Sequence, residues 1–184
     1  MRLFAAVLPP AEAARELEDA VTELKALPGA GDLRWSDPAG WHFTLAFYGD
    51  VDAGDQETLS GRLARAARRA GPIPLRIGGG GRFGDRALWA GLGEGSDHET
   101  LARVAVAARR AGRVEERFRA HLTLARTRAS APVDLRPYVT VLRVFRGTPW
   151  TARELVLVSS RLPASGTPGE RPRYTPVERW RLGP

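Results

Sequence analysis

Arg2 to Leu8 (RLFAAVL) reads as a strand of mostly apolar residues, and Pro9-Pro10 ends it. The period then changes: Leu17, Val21, Leu24 and Leu27 recur at three- and four-residue spacing, which predicts an amphipathic helix over Ala11 to Leu27. After Pro28-Gly29 come a short Asp32 to Trp35 segment, the Asp37-Pro38 turn, and an alternating run Trp41 to Tyr48 (WHFTLAFY) closed by Gly49-Asp50. That run is a second strand, with the short segment as its candidate pairing partner. Asp55 to Ala70 has an acidic first turn and a basic last turn, matching the helix dipole, with Leu59 and Leu63 inward.

Ile73 to Ile77 and Ala87 to Leu92 then read as strands flanking Gly78-Gly79-Gly80-Gly81, followed by a helix from Asp97 to Ala111. The glycine run leads through Arg82-Phe83-Gly84-Asp85 into another strand. A phosphate cradle would lead into a helix N-terminus, so the run is expected to be a flexible hairpin or bulge. His121 to Arg126 (HLTLAR) is a short strand, Pro132 to Leu142 a helical turn, Glu154 to Ser160 and Tyr174 to Leu182 two late strands, and 165–172 a Gly- and Pro-rich loop. With no linker or low-complexity tract, residues 1–184 read as one α+β domain of two similar halves.

Composition narrows the chemistry. Among 184 residues, 43% are apolar and 27% charged, apolar enough for a core and, with basic residues in excess, unlike a disordered acidic chain. No apolar run approaches the roughly 20 residues of a membrane span, and no basic n-region with an apolar h-region opens the chain, so a cytoplasmic location is expected. Cysteine is absent, which excludes disulfides, thiolate metal sites and cysteine nucleophiles. The net charge of +7 favours anionic partners. All but one of the 28 basic residues are arginine, Lys25 being the exception. A GC-rich genome would produce such a skew through codon bias alone, but not the net charge.

The chemistry concentrates at histidines. There are three, His42, His98 and His121, and two of them begin the same tetrad: His42-Phe43-Thr44-Leu45 and His121-Leu122-Thr123-Leu124. With only 11 threonines in the chain, that repeat is not an accident of composition. In a strand, residues i and i+2 share a face, so each histidine points with its threonine while Phe43, Leu45, Leu122 and Leu124 point into an apolar layer. If the halves pack about a pseudo-twofold axis, two imidazoles and two hydroxyls converge on one cleft. That set suits in-line displacement at a phosphodiester: one histidine as base, one as acid, both titrating near pH 6.5, and hydroxyls donating to the non-bridging oxygens, with Arg126 adding a charge-assisted contact. No metal or other cofactor is expected, because neither tetrad has a carboxylate at ligand spacing. A single His-x-Thr is more often a half-buried structural histidine; the repeat is what favours catalysis. His98, in Ser96-Asp97-His98-Glu99, reads as a solvent-facing residue beside a helix cap.

Two His-x-Thr-x tetrads about 80 residues apart, the first within Trp41-His42-Phe43-Thr44-Leu45-Ala46-Phe47-Tyr48-Gly49 and the second within His121-Leu122-Thr123-Leu124-Ala125-Arg126, resemble the 2H phosphoesterase superfamily. The Arg2-Leu3-Phe4-Ala5-Ala6 start, Arg34-Trp35, Leu155 to Arg161 and Tyr174 resemble more narrowly its RNA 2′,3′-cyclic phosphodiesterase, or 2′-5′ RNA ligase, branch. The resemblance implies a bilobal α+β fold, two pseudo-symmetric lobes whose antiparallel sheets face a central cleft with helices outside. It implies hydrolysis of a terminal 2′,3′-cyclic phosphate on RNA to a 2′-phosphate. The expected partners are RNA with such ends or nucleotide cyclic phosphates, and the expected state is a monomer. His42 would be the acid on the 3′ oxygen, His121 the base on water, Thr44 and Thr123 phosphate ligands, and Phe47 and Arg126 a clamp on the base.

Strict alternation puts Phe47 and Arg126 on the faces opposite the histidines, so the clamp requires each strand to end or bulge just before them. Gly49 offers such an end after Phe47. Tyr48 shares the His42 face by parity and competes as a stacking partner; Phe47 is otherwise core. Arg34 and Trp35 are candidates to line the cleft, Trp35 equally a core residue. The competing functions are 2′-5′ ligation, action on a small cyclic nucleotide, and an RNA-end-binding module without turnover.

Overall fold

The computed structural model describes residues 1–162 and 171–184, so the loop expected over 165–172 lies outside the described residues except for its last two. Among the described residues the strands form two four-stranded antiparallel sheets and one antiparallel pair. The first sheet has the order β10 (Arg173–Arg181), β9 (Glu154–Arg161), β1 (Arg2–Val7), β3 (Phe43–Asp50). The second has the order β2 (Arg34–Trp35), β7 (Leu122–Arg126), β6 (Ala87–Leu92), β5 (Ile77–Phe83). The pair is β4 (Ile73–Leu75) with β8 (Trp150–Ala152).

Four helices, α1 (Ala11–Leu24), α2 (Ala53–Arg69), α3 (His98–Ala111) and α4 (Arg136–Leu142), are described. The carboxylate of Asp52 accepts from the Asp55 backbone N–H at 2.9 Å and that of Asp97 from the Thr100 N–H at 2.9 Å, satisfying donors that open α2 and α3. Arg68 and Arg69 close α2, and Arg109 and Arg110 close α3, each at the negative end of the helix dipole. Leu59 and Leu63 of α2 and Leu101 and Val104 of α3 are buried with Leu3, Ala5 and Val7 of β1 and Leu45 of β3 in one core. Leu17, Val21 and Leu24 of α1 are buried with Leu88, Leu122, Leu124 and Tyr138 in another. Thus α1 follows a strand of the first sheet and packs on the second, and the lobes interlock through the chain. No helix among the described residues is long and apolar enough to cross a membrane.

The other face of the first sheet carries a smaller apolar group, Phe4, Ala6, Val156 and Val158, with Leu8 and Phe47 against it. This face, turned away from α2 and α3, floors the space beside the histidines.

Three expectations are corrected. The short segment does not pair with β3: Arg34 and Trp35 align with Arg126 and Ala125 of β7 in the other sheet. Trp35 is drawn there because its ring packs near Tyr138, at 6.3 Å between centroids, and its Nε1–H donates to the Ala30 carbonyl at 3.0 Å. The glycine run is not a hairpin between two strands but part of β5; the turn falls later, at Gly84-Asp85. It does contain a bulge, between Ile77 and Gly80, where Gly79 adopts φ +66°, a conformation open to glycine. Finally, Phe43 does not share one apolar layer with Leu45; it is buried in the second core while Leu45 enters the first.

Candidate active site

His42 and His121 each sit one residue ahead of their strands, β3 and β7. The two rings are anchored alike. His42 Nδ1 lies 2.6 Å from the carbonyl oxygen of Gly40, and His121 Nδ1 lies 2.8 Å from that of Arg119, in each case the residue two positions earlier. A carbonyl only accepts, so Nδ1–H is the donor and Nε2 is the nitrogen left for other chemistry. Thr44 and Thr123 follow, half-buried, between the buried neighbours Phe43 and Leu45, and Leu122 and Leu124.

Aromatic rings hold each imidazole from the side. Phe4 lies 4.6 Å from the His42 ring and Tyr174 4.9 Å from it, edge-on. Phe83 meets the His121 ring edge-on at 4.8 Å, with Trp89 at 6.4 Å. Burial lowers both histidines below the ordinary value, against the opposing effect of their backbone hydrogen bonds. The charge of His121 lowers His42 further, so the rings lie within electrostatic reach; Arg126 and Arg119 do the same to His121.

Register explains where the fifth residue after each histidine goes. In β3, Ala6 aligns with Thr44, Ala5 with Ala46 and Phe4 with Phe47, so Leu45 is an extra residue. In β7, Trp89 aligns with Thr123, Leu88 with Ala125 and Ala87 with Arg126, so Leu124 is extra. The two bulges fall at the fourth position of each tetrad, and each returns the fifth residue after the histidine to the threonine's face. Phe47 accordingly lies against Phe4 and Ala6, with the guanidinium of Arg2 over its ring at 4.8 Å. Tyr48 does not compete: it packs with the first core and donates its hydroxyl to the Ala108 carbonyl at 3.0 Å. Arg126 is exposed, and its charge acts on Tyr174 as well as on His121.

Two cavities adjoin the tetrads. One of about 410 Å³ is lined by His42, Trp41, Leu8 and Tyr174. The other, about 530 Å³, is lined by Thr44 and Phe47 from one sheet and by Phe83 and His121 from the other, so residues of both tetrads open onto one space. His98 stands exposed at the start of α3, away from both.

Sequence reasoning missed Phe4, Phe83, Trp89 and Arg119, whose apolar and basic side chains carry no motif. The glycine run was the available signal for Trp89. A Cβ on Gly81 would stand 2.4 Å from the indole Cζ2 and one on Gly80 2.6 Å from the Trp89 carbonyl oxygen, so the run clears space for that ring beside His121.

Comparison with known proteins points to one family. The family model described as LigT like Phosphoesterase matches residues 7–89 and 97–168. The RNA 2′,3′-cyclic phosphodiesterase of Thermus thermophilus is 31% identical over 199 residues, covering 99% of this chain and 90% of that protein. Among solved structures, TT0787 of Thermus thermophilus superposes with a TM-score of 0.76 at 28% identity, covering 99% of this chain and 98% of that one. E. coli LigT complexed with NADP+ gives 0.73 at 27%, covering 98% and 97%. A match that spans both tetrads, together with a full-length relative, means that the chain belongs to the LigT-like phosphoesterases of the 2H superfamily.

Proposed function

We propose that the protein hydrolyses the terminal 2′,3′-cyclic phosphate of RNA to a 2′-phosphomonoester, as a monomer, in the cytoplasm, and without a metal ion. The observation that carries this reading is the duplicated anchoring of His42 and His121, each with Nδ1–H on a backbone carbonyl and Nε2 left free. In the proposed step, His121 Nε2 takes a proton from water as its oxygen bonds to phosphorus. The bond from phosphorus to the 3′ oxygen breaks, and protonated His42 gives that oxygen its proton. Thr44 and Thr123 donate hydrogen bonds to the non-bridging oxygens, where negative charge is greatest. Phe47 and Arg126 clamp the base, a role supported by the two matched bulges. All of these groups come from one chain, and they are imidazoles, hydroxyls, a guanidinium and a ring rather than a carboxylate ligand set. The name of the Thermus relative supports the substrate.

The test is product analysis. An RNA oligonucleotide ending in a 2′,3′-cyclic phosphate, incubated with the protein in excess EDTA, is expected to yield a terminal 2′-phosphate, identified by phosphorus NMR. A 3′-phosphate product, or activity abolished by the chelator, would contradict the assignment.

A further inference from the structure

The cavity that holds Thr44, Phe47 and His121 extends past them to the connection between α3 and β7, where Phe118, Arg117 and Arg119 line it. At about 530 Å³ it lies within the roughly 300–1,000 Å³ of ordinary ligand sites. The connection is pinned to the body of the protein. The Val114 N–H donates to the Arg109 carbonyl at 2.9 Å, the Arg109 guanidinium donates to the Glu116 carbonyl, and Phe118 packs against the first core. Arg117 and Arg119 are left exposed on this fixed rim. Arg119 lies over Phe83 and Trp89, 5.6 and 5.5 Å from the two rings, and Arg117 makes no salt bridge among the described residues. One carboxylate, Glu116, shares the lining against the guanidiniums of Arg109, Arg117 and Arg119, so the rim is net positive.

A cyclic mononucleotide has one phosphate and one base, which the tetrads and Phe47 would occupy. The aromatic and cationic surface beyond them needs a ligand that continues as a chain of phosphates and bases. From this we infer that the rim formed by Arg117, Arg119 and Phe118 is a subsite for the nucleotides 5′ to the reacting end. The inference rests on the cyclic phosphodiesterase reading and deepens it. Arginine is suited to the task, since its fork contacts phosphate oxygens and its plane stacks on bases.

The experiment compares kcat/KM on a cyclic-phosphate-ended RNA pentamer with that on the cyclic mononucleotide of the same terminal base. Wild type, Arg117→Gln and Arg117→Glu are assayed at about 50 and 200 mM salt. Arg117 is exposed and lies outside the tetrads, so neither variant threatens the fold. Wild type is expected to prefer the pentamer by about tenfold or more at low salt, with the preference shrinking as salt rises. Arg117→Gln is expected to lower pentamer kcat/KM by about three- to tenfold, Arg117→Glu by more, with the mononucleotide changed by less than about twofold. Equal use of both substrates by wild type, or an equal loss on both in the variants, would overturn the subsite and leave the function standing. Turnover of neither substrate would overturn the function, and the subsite with it.

Discussion

Each imidazole donates Nδ1–H to a carbonyl two residues back and leans on aromatic rings, so its orientation is fixed before any ligand arrives. The identity of these two residues was plain in the sequence, because one tetrad written twice is a signal that single residues lack. What held them was not plain: Phe4 and Tyr174 lie at opposite ends of the chain, and nothing local marks them as neighbours of His42. Burial lowers both histidines, and this fixes the sign of a pH dependence. On the proposed assignment, with His121 acting neutral and His42 protonated in the free enzyme, both limbs of the kcat/KM profile are expected acid of about pH 6.5, with activity already declining at pH 8. A profile rising through pH 8 would contradict the assignment of this pair.

At the scale of elements, the helices and most strands follow from period and capping alone, since α1, α2 and α3 bury the residues their spacing selects. Register does not follow from composition. The bulges at Leu45 and Leu124 are set by which strands pair, and only pairing carries Phe47 and Arg126 round to the faces of Thr44 and Thr123. Nor could alternation describe β5, where glycines leave no side chains to alternate and the pattern is supplied by Trp89 across the strand. Gly81→Ala tests that arrangement. Its Cβ would meet the indole at 2.4 Å, so the ring must shift, at a cost of about 1–3 kcal/mol read as a lower Tm. Because the ring packs beside His121, kcat/KM is expected to fall as well; unchanged stability and activity would remove Trp89 from the account.

For the whole molecule, the sequence disclosed the class of fold but not the way its lobes interlock. The first sheet joins strands from both ends of the chain, and α1 leaves it to pack on the second. Such long-range pairing has no local trace. Its consequence is that Thr44 of the first tetrad and His121 of the second open onto one cavity, with His42 lining the neighbouring one; the proposed reaction has the two histidines, from different parts of the chain, act on one phosphorus. Replacing either should therefore disable the reaction while leaving the fold intact. The decisive measurement is kcat/KM for hydrolysis of a 2′,3′-cyclic-phosphate RNA end by His42→Ala and His121→Ala, each shown by circular dichroism to be folded. A loss of about 10²–10⁴ in each is expected, and wild-type turnover by either folded variant would contradict the paired acid and base.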